Sequence, residues 1–102
     1  MEGLKPIQHL FPVTVNVTQE MIDKGKANIT SPSHCIGAIA VRKVITDNRY
    51  VSWANSCGCI ETRDSWPHYY FQIQSFDAIT HLPVVMEHII SPQNIILKEW
   101  KI

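Results

Sequence analysis

The 102-residue sequence predicts an α+β fold, a small mainly antiparallel sheet with helices packed on one face, in the order β-α-α-β-β-β-α-β. Three observations carry that expectation. Val13, Val15 and Val17 alternate with Thr14 and Asn16, the period of a half-buried strand. The stretch from Cys35 to Val41 contains no polar side chain and follows Ser31-Pro32, a combination that starts a buried helix. Between Tyr50 and Ile73 the chain is rich in aromatic and β-branched residues, interrupted by turn formers, as in a meander of strands.

Residues 1–10 read as a loosely held lead-in to a single domain spanning 1–102. The first strand is expected over Phe11 to Val17. Thr18 can then cap a short helix, Gln19 to Lys24, in which Glu20 and Asp23 lie toward the positive end, Met21 and Ile22 supply the apolar contacts, and Gly25 is the stop. The second helix starts at Ser31-Pro32 and runs to Val44 or Ile45, with Arg42 and Lys43 near its negative end. Gly37 and the alanines beside it point to close approach of a neighbouring element. Asp47-Asn48 turns the chain into a strand, Tyr50 to Ala54, and Asn55-Ser56 turns it again into Cys57 to Thr62. Gly58 marks a bulge or a close approach inside that strand. A loop, 63–67, leads to a third strand of the meander, His68 to Ile73, with Tyr69, Phe71 and Ile73 on one face. Ser75 is expected to cap a helix carrying Phe76, Ile79 and Leu82, complicated by Pro83, and Asn94 to Ile102 forms the final strand.

Composition narrows the function classes. A chain of this length buries about 65 % of its unfolded surface without disulfides or metals. Apolar residues at 45 % and charged residues at 18 % exclude a disordered chain, and no run approaches the roughly 20 apolar residues of a membrane-spanning helix. Nine basic and nine acidic residues cancel, against an extensive nucleic-acid or anionic-lipid surface. The start, Met1-Glu2-Gly3-Leu4-Lys5-Pro6, lacks the apolar stretch of a signal peptide, and three cysteines have no framework spacing; both lead to the expectation of a cytoplasmic protein.

The segment Val15-Asn16-Val17-Thr18-Gln19-Glu20-Met21-Ile22-Asp23-Lys24-Gly25, followed by His34-Cys35-Ile36-Gly37-Ala38-Ile39-Ala40, resembles a recurrent family of small uncharacterised bacteriophage and prophage proteins. Members begin with a strand ending in Thr-Gln-Glu, then an Ile-Asp and a glycine, then a helix start similar to Cys-Pro-Ile-Ala-Leu-Ala. This sequence departs from the second motif, because Ile36-Gly37 follow Cys35 directly and the proline is at position 32. The resemblance covers residues 13–54. It implies a phage setting, a location in the host cytoplasm and action on a host protein by binding, and it carries over no catalytic residue.

The residues themselves offer three constellations. Trp53, Trp66, His68 and Tyr70, flanked by Arg49 and Arg63, form a candidate surface for a host protein or a small-molecule ligand, since aromatic faces stack or anchor and guanidinium groups pair with phosphate or carboxylate. Cys57 and Cys59 point to the same face of a strand, where two thiols pack as small apolar groups, form a redox pair or, with His68 or the His34-Cys35 pair, bind a soft metal such as zinc. Cys35 near a helix start is either a buried thiol or an activated nucleophile, and a small thiol- or metal-dependent enzyme or module using Cys35, Cys57, Cys59 and the nearby histidines is the alternative from another class. No phosphate loop, paired-carboxylate signature, serine nucleophile motif or cofactor fingerprint is present, so the leading expectation is a non-enzymatic binding protein without catalytic residues, metal or cofactor. A homo-oligomer paired through apolar strand edges such as Ile95 to Leu97 is the remaining alternative.

Overall fold

The computed structural model describes residues 10–28, 31, 33–45, 50–62 and 69–100. It confirms the α+β class: a five-stranded, wholly antiparallel sheet and two helices. The strands are β1 (Val13–Val17), β2 (Tyr50–Ala54), β3 (Cys57–Thr62), β4 (Tyr69–Asp77) and β5 (Gln93–Glu99), in the spatial order β1-β5-β4-β3-β2. The helices α1 (Gln19–Ala27) and α2 (Ile36–Arg42) connect β1 at one edge to β2 at the other. No helix among the described residues is long and apolar enough to cross a membrane.

Register decides which side chains meet. Val15 pairs with Ile95, Leu97 with Ser75, Ile73 with Gly58, Phe71 with Ile60, and Ile60 with Val51. Paired residues share a face of the sheet, so one face carries Val15, Val17, Ile95, Leu97, Ile73, Phe71, Ile60, Val51 and Trp53, all buried. The helices cover this face with Met21, Ile22, Ile36, Ala38, Ala40 and Val41. Full burial of one such aliphatic or aromatic side chain contributes about 1.5–3 kcal/mol, and this layer is the principal source of stability. Phe11 joins it from outside β1, its ring centroid 5.2 Å from that of Phe71.

Thr18 caps α1 as its position suggests, accepting a hydrogen bond from the Met21 N–H at 3.3 Å. The helix does not stop at Gly25. It continues to Ala27 and is closed by Asn28, whose N–H donates to the Gly25 carbonyl and whose side-chain amide donates to the Lys24 carbonyl. A glycine inside this helix lets α2 come close: a Cβ at position 25 would be 2.6 Å from the Ile36 nitrogen.

The second helix is shorter than the apolar pattern suggests. Residues 33–35 form a turn, and helical backbone begins at Ile36. Ser31 closes the turn by accepting from the N–H groups of His34 and Cys35, and Arg42 reaches back to donate to the Ser33 carbonyl. Arg42 therefore ties the end of α2 to the turn that opens it.

The helix expected after Ser75 is absent. Phe76 and Asp77 extend β4, and a turn at residues 78–80 follows. Ser75 is fully buried, and its side chain serves the sheet: the hydroxyl oxygen lies 2.6 Å from the Val84 carbonyl and 3.1 Å from the Ser56 carbonyl. Asp77 accepts from the N–H groups of Ile79 and Thr80, both at 2.8 Å, and so closes a turn. Pro83 then bridges back to Phe76 and a single 3-10 turn, Met86–His88, precedes β5. The element order is accordingly β-α-α-β-β-β-β, with the 3-10 turn where a third helix was expected.

Strand β5 lies between β1 and β4 and is hydrogen-bonded on both sides. Ile95 to Leu97 is thus an internal segment, and the expectation that it offers a free edge for pairing between subunits is corrected.

Candidate functional site

The sheet has a second face that neither helix covers. By register it holds Asn16 of β1; Asn94, Ile96 and Lys98 of β5; Gln72, Gln74 and Phe76 of β4; Cys57 and Cys59 of β3; and Ser52 and Ala54 of β2. Toward the β1 edge it is closed by local pairs: the Asn16 amide donates to Asn94 Oδ1 at 2.8 Å, and Lys98 Nζ stands 4.9 Å from the centre of the Phe76 ring. Toward β2 it opens into a depression of about 280 Å3 bordered by Ser52, Trp53, Ala54, Cys57, Gly58, Cys59, Gln72 and Trp100.

Small residues form this depression for a reason on the opposite face. Trp53 and Gly58 are opposite each other in the β2–β3 ladder. The Trp53 indole lies between Gly37 of α2 and Gly58 of β3, and a Cβ on either glycine would fall on the ring. Its N–H donates to the Asn55 carbonyl at 3.0 Å, which satisfies the polar atom of a side chain only 3 % exposed. Asn55 turns the chain with a left-handed φ of 58°, a conformation asparagine tolerates. Cys57 and Cys59 then follow on the uncovered side, half-buried and not disulfide-bonded. Ser52 Oγ lies 3.1 Å from Cys59 Sγ and Ser56 Oγ lies 3.8 Å from Cys57 Sγ. Trp100, 39 % exposed, continues the line of β5, its N–H donating to the Gln72 carbonyl at 2.8 Å.

The candidate residues read from the sequence are distributed as follows. Trp53 belongs to the core and reaches only the border of the depression. Tyr70 occupies the β4 position opposite Glu61. Arg49, Arg63, Trp66 and His68 lie outside the described residues. Cys57 and Cys59 share one face, whereas Cys35 lies on the helix side, 1 % exposed. Burial pushes the Cys35 thiol up from its ordinary value, with backbone groups of Ala38 and Gly37 opposing and the Glu87 carboxylate reinforcing the rise. The sheet therefore separates Cys35 from the other two thiols. His34 is exposed, with Nδ1 2.9 Å from Ser33 Oγ and 3.1 Å from Ser31 Oγ. Among the described residues no three His, Cys, Asp or Glu side chains are grouped to hold a metal ion.

Sequence reading did not single out Ser52, Gln72 or Trp100. Ser52 lies on β2, Gln72 on β4 and Trp100 just past the end of β5, and only the register of β2, β3, β4 and β5 brings them together. The available signal was alternation in β5, where Asn94, Lys98 and Trp100 fall on the parity opposite to Ile95 and Leu97. No family model, curated protein or solved structure matches the chain.

Proposed function

We propose that this protein is a non-catalytic binding protein that engages another protein through the uncovered face of its sheet, with Trp100 and the depression beside it as the anchor point. The carrying observation is a concave patch made of small side chains next to an exposed tryptophan, on a face that no described helix covers. Tryptophan is among the residue types that contribute most at protein interfaces. The depression, about 280 Å3 and open to solvent, has room for a protruding apolar side chain of a partner. The polar atoms at its border, the Gln72 amide and the Ser52 hydroxyl, would fix the register of that side chain. The resemblance of residues 13–54 to small phage proteins supplies the setting for this reading, a host protein as partner.

The test compares affinity capture from host lysate by the wild-type protein and by Ala54→Arg and Trp100→Ala variants with unchanged circular dichroism. A partner retained by the wild type and reduced about tenfold or more by both substitutions supports the reading. Identical capture by all three proteins removes this face from consideration.

A further inference from the structure

We infer that Cys57 and Cys59 form a two-thiolate site for a soft monovalent cation, of which copper(I) is the biological example. The inference concerns the chemistry of the thiols and does not depend on a protein partner. Both cysteines point out of the same side of β3 and border one open depression, so the two sulfurs share a face with a path for an ion to enter. Strand geometry sets their Cβ atoms about 6.7 Å apart, far beyond the roughly 3.5–4.5 Å that a disulfide requires. A continuous β2–β3–β4 ladder runs through both positions and holds that spacing. Oxidation to a Cys57–Cys59 disulfide would require the strand to buckle, so the ladder disfavours that bond. A bridging ion makes a smaller demand. With a metal–thiolate bond of about 2.3 Å, two sulfurs in line across an ion stand about 4.6 Å apart, a separation that rotation about the Cα–Cβ bonds can reach while the Cβ atoms keep their strand spacing.

Ligand number selects the ion. Four-coordinate zinc needs four donors, and no third histidine, cysteine or carboxylate joins the two thiols among the described residues. Thiolates are soft ligands that favour copper(I), and a pair of them satisfies linear two-coordination. On binding, each thiol loses its proton to solvent and each sulfur donates one electron pair to the ion. One cation and two neutral thiols thus become a complex of single negative charge plus two released protons, with no change of oxidation state. The surroundings suit that charge: Ser52 Oγ at Cys59 Sγ and Ser56 Oγ at Cys57 Sγ each place a hydroxyl where it can donate to a thiolate. Lys98 carries positive charge on the same face of the sheet.

Anaerobic titration of the reduced full-length protein with copper(I), against a chromophoric copper(I) chelator, tests this. The expected result is one ion per chain, with X-ray absorption showing two sulfur neighbours, and a loss exceeding about 100-fold in affinity for Cys57→Ser and for Cys59→Ser. Ser52→Ala should cost about tenfold as an outer partner, while Cys35→Ala should bind as the wild type does. A readout on the unsubstituted protein guards against misfolded variants: copper(I) loading should shield Cys57 and Cys59 together from alkylation by iodoacetamide. Stoichiometric binding that survives either single serine substitution, no competition with the chelator, or alkylation unaffected by loading would each overturn the assignment.

Discussion

Trp53 and Gly58 face each other across the β2–β3 ladder, and the indole occupies the volume that a side chain on Gly58 would need. Gly37 of α2 meets the same ring from the other side. Gly58→Ala and Gly37→Ala should therefore each lower stability by about 1–3 kcal/mol through overpacking. Urea denaturation checks this as a fall in midpoint without a change in slope. Because the collision is with the indole, Trp53→Leu should remove most of the cost of Gly58→Ala in a double-mutant cycle. Additive effects would show that the glycine is needed for some other reason.

Gly25 reverses a familiar expectation. Replacing a glycine inside a helix by alanine ordinarily stabilises it by about 1 kcal/mol. Here the new Cβ would lie 2.6 Å from the Ile36 nitrogen and 2.8 Å from its Cα, and these are backbone atoms that move only with α2 itself. Gly25→Ala should lower the thermal midpoint, and a raised midpoint would contradict the close packing of α1 on α2.

Asp77 gives stability a dependence on acid. The N–H groups of Thr80 and Ile79 hold its carboxyl below the ordinary value of 3.8. A carboxyl whose folded pKa is depressed stabilises the fold above its unfolded pKa, and that contribution disappears as pH falls through the folded value. The difference in urea midpoint between wild type and Asp77→Asn should be greatest at neutral pH and should shrink below pH 3.8. A difference that stays constant across this range would place the effect of the substitution elsewhere in the turn.

Cys35 should behave unlike the other thiols. Burial raises its pKa above 9.0 and closes it to reagents, so native alkylation should modify Cys57 and Cys59 and spare Cys35 until the protein unfolds. A raised folded pKa also means that the protonated thiol stabilises the fold below its unfolded pKa and loses that contribution as pH rises past it. Alkaline destabilisation above pH 9.0 should accordingly be smaller in Cys35→Ala than in the wild type. Mass spectrometry of alkylated peptides checks the first expectation, and denaturation at two pH values the second.

Those features that depend on nearby residues were readable in the sequence. The Thr18 cap, the alternation of β1 and the turn at Asn55-Ser56 are decided within a few positions, and each is found where the pattern places it. The close approaches at Gly37 and Gly58 were also foreseeable, although their shared neighbour, Trp53, was not. Ser75 misled because serine before an aromatic and an aspartate imitates a helix start. Its hydroxyl is used instead by carbonyls of Val84 and Ser56, the latter 19 residues away. Gly25 misled for a similar reason, since the glycine serves a close contact with α2 and not a helix stop. The uncovered face is composed of side chains from separate strands, so no single stretch of sequence displays it.

The pairing of β1 with β5 has a consequence for how the chain reaches its native state. Asn16 and Asn94, joined side chain to side chain, are 78 residues apart. Closing so long a loop carries an entropy cost that the tight β2–β3 hairpin does not. The meander of β2, β3 and β4 can assemble from near neighbours, whereas β1 has no sheet to join until β5 is laid down beside β4. Loop-closure entropy therefore favours assembling the meander before the β1–β5 seam, and in a nascent chain the first strand has no partner until β5 has been made.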